Sequence, residues 1–139
     1  NVRRIYELLE GNTYCMQRTF HEAFANTATD GDCTTEILEQ SIRSILEDNG
    51  HTYSRMLAQI PTRQKELLYA IASEGKADKV LGSAFIKRHS LQSASSVQAA
   101  LKKLLALDFI TMEESYYTLP DRFMSLYIKL RQNPSMRLL

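Results

Sequence analysis

Between residues 83 and 119 the spacing of apolar side chains changes its period once, at Phe109, and that change limits the folds open to the whole chain. Before it, Val97, Ala100, Leu101, Leu104 and Leu105 recur at three- and four-residue steps behind Ser93, whose short hydroxyl suits a helix N-cap. After it, the run FITMEESYYTL nears alternation and reads as two short strands around a polar tip of Met112, Glu113, Glu114 and Ser115. Strands this short are not stable alone in water, so Phe109, Ile110, Tyr117 and Leu119 must rest on helices.

A short helix in SAFIKRHS precedes the Ser93 helix, so the order is helix, turn, longer helix, hairpin. That order is a winged helix-turn-helix. It turns a polar edge outward, formed by Gln92, Ser93, Ser95, Ser96, Gln98 and Lys102 with Lys87 and Arg88 from the shorter helix. These eight residues are the candidates for contact with DNA or a protein partner. Ser, Gln and Lys reach phosphates and base edges, and a helix N-terminus offers N–H groups to an anion.

The remaining segments are helical. Residues 2–10 present Ile5, Leu8 and Leu9 inward and stop at Gly11; Asn12 or Thr13 caps a second helix to Phe24, with Tyr14, Met16, Phe20, Ala23 and Phe24 on its apolar face. A third helix opens at Thr34 or Thr35 and ends at Asn49-Gly50, and a fourth carries Tyr53, Met56, Leu57 and Ile60. Pro61 breaks the pattern before a helix stopped by Gly75, and Val80 and Leu81 offer a minimal third strand. Pro120-Asp121 starts the last helix, beyond which QNPSMRLL reads as frayed. The fold class is therefore mainly α: a small helical bundle over residues 1–60, then a winged helix-turn-helix domain over residues 61–139 with a two- or three-stranded wing sheet.

Charge divides at the same point. Residues 1–60 hold 5 Lys and Arg against 9 Asp and Glu, a net −4, whereas residues 61–139 hold 12 against 7, a net +5. Apolar residues at 44% and charged residues at 24% match a globular protein with a packed core. No apolar run is long enough to cross a bilayer, so no membrane partner is expected. Cys15 and Cys33 lack metal-type spacing, and His21, His51 and His89 are scattered, so neither a metal site nor a catalytic centre is expected. Inert thiols fit a reducing cytoplasm. His89 is read as a helix C-terminal residue meeting the last carbonyls.

The runs IPTRQKELLYAIASEG, FIKRHSLQSASSVQAALKKLLALDFI and YYTLPDRFMSLYI resemble the C-terminal region of prokaryotic and archaeal-type P-loop ATPases of the AAA+ and signal-transducing kinds. The upstream run GNTYCMQRTF is similar to their lid helix. The resemblance implies a lid followed by a winged helix, with the ATP-binding core as the missing partner from the same chain. ATP and Mg²⁺ would then belong to that parent protein and no cofactor to this stretch, which contains no G-x-x-x-x-G-K-[ST] loop. In such lids an arginine near the start of the second helix senses nucleotide. Here Tyr14 follows Gly11 by three residues and Arg18 lies a turn further, so Asn12, Tyr14 and Arg18 are the nucleotide-proximal candidates, with packing in the core the favoured role for Tyr14.

Two functional readings follow. The first is a regulatory contact module of a P-loop ATPase, able to self-associate through a lid face left bare. The second is a self-contained winged-helix transcription regulator whose N-terminal helices dimerise. The absence of Arg from the Ser93 helix and the acidic wing tip Glu113-Glu114 favour protein over DNA as the partner.

Overall fold

The computed structural model describes residues 2–139. The elements in chain order are α1 Val2–Leu8, α2 Thr13–Asn26, α3 Thr35–Ala58, α4 Thr62–Glu74, α5 Ser83–Arg88, α6 Ala94–Ala106, β1 Thr111–Glu113, β2 Tyr116–Thr118 and α7 Arg122–Gln132. Four helices start on a side-chain cap: Asn12 accepts from the Cys15 N–H, Thr34 from Ile37, Ser93 from Ser96 and Asp121 from Met124. Gly75 ends α4 with a φ of 76°, a conformation that suits glycine.

The two strands pair antiparallel with Glu113 opposite Tyr116, leaving a two-residue turn in which Glu114 takes a left-handed φ of 51°. The sheet's third member is a single bridge. Ala77 exchanges both backbone hydrogen bonds with Tyr117 at 2.8 and 2.9 Å, so the expected strand at Val80 and Leu81 is replaced by one residue three positions earlier. Val80 is instead a buried anchor of the connector, and Leu81 is exposed. Met112 and Glu113 belong to β1, which narrows the tip to Glu114 and Ser115.

The buried side chains form one cluster that draws on both sides of Pro61, from Ile5, Leu9 and Ile42 to Leu68, Leu104 and Phe123. Within it α4 packs on α6 and α7, α3 packs on α7, and α2 packs on α3. Burying a Leu, Ile or Phe side chain contributes about 1.5–3 kcal/mol, so the fully enclosed Leu67, Leu68, Ile71, Leu104 and Phe123 supply a large share of the stability.

Further expectations from sequence fail among the helices and at the C-terminal end. The third and fourth helices are one: α3 runs unbroken through Asn49 and Gly50, because Tyr53 and Leu57 continue the buried stripe of Leu38, Ile42, Ile45 and Leu46 at helical spacing. An interior glycine costs about 1 kcal/mol, less than burying those two side chains contributes. Tyr14 is 69% exposed and Phe24 84%, so neither packs in the core. The stripe that α2 buries is Cys15, Thr19 and Ala23, small residues that bring it close to α3 and leave the large aromatics at its margins.

Residues 133–139 are not frayed. Leu138 is buried, Met136 and Leu139 pack against the core, and the segment's backbone is hydrogen-bonded to side chains of α3.

Candidate functional site

The outward face of α6 is positioned by the geometry of the turn before it. Ser90 adopts a left-handed φ of 53°, and the Leu91 N–H bonds back to the Ile86 carbonyl at 2.9 Å, closing α5 and swinging the chain toward Ser93. Val97, Ala100, Leu101 and Leu104 then fix the inner face of α6 against α4.

Of the eight contact candidates, Lys87, Arg88, Gln92, Ser95, Gln98 and Lys102 are exposed, while Ser93 and Ser96 are half-buried. The Ser93 hydroxyl is committed to capping, accepting from the Ser96 N–H at 3.2 Å, and lies 3.2 Å from the Ser95 hydroxyl. The exposed face also contains Ala94, Ala99, Lys103 and Ala106, which the sequence reading did not single out. The surface of α6 is thus mostly small and uncharged until its last turns.

Arg88 does not face solvent alone. Its Nε lies 2.9 Å from Glu74 Oε1, and the same oxygen lies 2.8 Å from His89 Nε2. The hydrogen bond from His89 holds the Glu74 carboxyl below its ordinary range, with the Arg88 charge adding to the effect against the opposing desolvation. His89 therefore meets a carboxylate rather than only the last carbonyls of α5, and its ring packs 4.6 Å from that of Phe85. Local sequence gave no signal for this, since Glu74 lies on a different helix. Glu113 and Glu114 are exposed on the wing, where the Tyr116 hydroxyl reaches Glu113 at 3.3 Å.

Beside the end of α6 lies a groove of about 400 Å³ lined by Met56, Gln59, Ile60, Pro61, Gln64, Lys103, Leu107 and Phe109. Met56 and Leu107 are partly exposed on it.

The nucleotide-proximal candidates separate. Asn12 and Tyr14 line a cavity of about 420 Å³ with Cys15, Asn49, Tyr53 and Asp121, where the Asn12 side chain serves as the α2 cap. Arg18 does not line that cavity; it pairs with Glu22 at 2.9 Å. Burial, with Asp121 nearby, pushes the Cys15 thiol up to about 11. Among the described residues no group of three or more His, Cys, Asp and Glu could hold a metal ion, and no helix is long and apolar enough to cross a membrane.

A family model described as a probable winged helix domain matches residues 51–130. No curated protein and no solved structure matches the chain. The matched span contains the last turns of α3, the α4–α5–α6 arrangement, the β1–β2 wing and most of α7. With more than half of its length accounted for in this way, and with the helices and wing in the required order, the chain belongs to this winged-helix family.

Proposed function

We propose that residues 61–139 form a protein-contact module working through α6 and the groove beside it. Residues 1–60 are in this reading a lid-like bundle, and the partner is the ATP-binding core of a P-loop ATPase in the same chain, which supplies the ATP and Mg²⁺ chemistry. The sequence resemblance supports the ATPase part. The observation that carries the contact mode is electrostatic: Arg88, the one arginine among the contact candidates, is paired with Glu74, and the wing presents Glu113 and Glu114 where a DNA-reading wing would meet phosphates.

A second reading, duplex DNA as partner, is favoured by the exposed Lys87, Lys102 and Lys103, which make no ion pair among the described residues. Fluorescence anisotropy with a random duplex at about 50 mM salt separates the two. Protein contact predicts weak binding that Lys87→Glu with Lys102→Glu barely alters. Tight binding that falls steeply with salt and is lost in that double variant would establish the DNA reading instead. The reading frame upstream of Asn1 tests the ATPase part: a phosphate-binding G-x-x-x-x-G-K-[ST] loop is expected there, and its absence would overturn that part alone.

A further inference from the structure

We propose that the seam between α3 and α7 around Glu39 and Arg43 is a binding site for an extended aliphatic peptide from another polypeptide, and that the chain's own segment 133–139 occupies it in part. Arg43 donates to the backbone carbonyl of Met136 at 2.8 Å, and Glu39 Oε1 accepts from the backbone N–H of Leu138 at 3.1 Å. Arg43 and Glu39 are themselves paired at 3.2 Å, one turn apart on α3. In extended chain the carbonyl of one residue and the N–H two positions on point the same way. The pair therefore reads one edge of a peptide backbone, and this reading is indifferent to which polypeptide supplies it. Side-chain selection comes from Leu138, which is buried to 8% exposure in the core.

The site is larger than its present occupant. The bound segment runs from Arg43 toward the N-terminal end of α3. On the other side of Arg43 the seam continues as a cavity of about 230 Å³ lined by Leu46, Glu47, Gly50, Tyr127, Leu130 and Arg131. The chain's own residues cannot fill it, because those just before Met136 are the exposed turn 133–135 descending from α7. A separate peptide has no such constraint. It can place an aliphatic residue where Leu138 sits, give its backbone to Glu39 and Arg43, and run its preceding apolar residues along Leu46 and Leu130. The site lies away from α6, so it stands or falls independently of the contact mode proposed above.

The test uses the full chain and two fluorescent peptides, SMRLL and the longer ALALSMRLL. A tethered segment competes at an effective concentration on the order of millimolar, so wild type is expected to bind both weakly. Leu138→Asp, which displaces the resident segment, is expected to bind SMRLL about tenfold tighter or better, and ALALSMRLL several-fold tighter still. Adding Glu39→Ala and Arg43→Ala to it is expected to abolish binding. Equal binding by wild type and Leu138→Asp, no loss in the triple variant, or no gain from the longer peptide would each overturn the proposal. If Leu138→Asp lacks a native far-UV spectrum, wild type is titrated with ALALSMRLL to millimolar concentration instead. Shifts of the Met136 and Leu138 amide resonances then support the site, and unmoved resonances refute it.

Discussion

The hydroxyl of Tyr53 donates to the carboxylate of Asp121, 3.1 and 3.2 Å from its two oxygens, across 68 positions of the chain. The same carboxylate caps α7 through the Met124 N–H. One side chain therefore both starts the last helix and holds it to α3. Tyr53→Phe removes this link and is expected to lower stability by about 1–2 kcal/mol in urea unfolding. An unchanged midpoint would show that the bond contributes nothing net.

The same pair sets a limit at high pH. Burial first, and then the Asp121 charge, push the Tyr53 phenol far above its usual range. A group raised in the folded state contributes its full stabilisation below its unfolded pKa of about 10, and that contribution is lost as pH rises through the folded value. Wild type is expected to lose stability more steeply above about pH 10 than Tyr53→Phe, by one proton equivalent. Parallel pH profiles for the two proteins would contradict the assignment.

The two thiols should differ in reactivity. Cys15 is buried and its thiol lies at about 11, whereas Cys33 is exposed. At about pH 8 a thiolate-trapping reagent is expected to label Cys33 quickly and Cys15 only on unfolding. Two rapid equivalents per chain would show that the packing of α2 around Cys15, against the start of α7, opens readily.

Gly50 lies within α3, and an added Cβ would stand at ordinary contact distance, 3.5 Å, from the Tyr127 ring. Gly50→Ala is therefore expected to stabilise the protein by about 0.5–1 kcal/mol in thermal unfolding. Destabilisation would argue for a break in α3 at this point.

Glu74 gives a dependence on the acid side. Its lowered carboxyl contributes stability above the ordinary carboxylate range, and that contribution is lost as pH falls through the depressed value. Glu74→Gln should lower the melting temperature at neutral pH and leave it nearly unchanged at about pH 3. An equal deficit at both would assign the effect to packing instead.

The elements whose signals are local were legible from sequence. The cap at Ser93, the start of the last helix at Pro120-Asp121, the stop at Gly75 and the buried stripe of α6 each rest on residues a few positions apart, and all are present. Asn49-Gly50 misled because its turn propensity is weak beside the burial of Tyr53 and Leu57, which depends on α7, far along the chain. Tyr14 misled because a small stripe, Cys15, Thr19 and Ala23, makes the contact with α3 in its place. The docking of residues 133–139 had no local sign at all, since Glu39 and Arg43 lie more than ninety positions away. The polar edge of α6 was legible, but the pairing of Arg88 with Glu74 across two helices was not.

Arg122 is 14% exposed and gathers three partners: the Thr118 hydroxyl at 2.7 Å, the Leu119 carbonyl at 2.9 Å and the Glu10 carboxylate. Thr118 in turn donates to the carbonyl of Gly75. Glu10 belongs to the left-handed link between α1 and α2, while Thr118 ends the returning wing strand. The link between α1 and α2, the base of the hairpin and the end of α4 thus meet around one guanidinium. Turning the first helix away from the hairpin would break the ion pair of that guanidinium with Glu10.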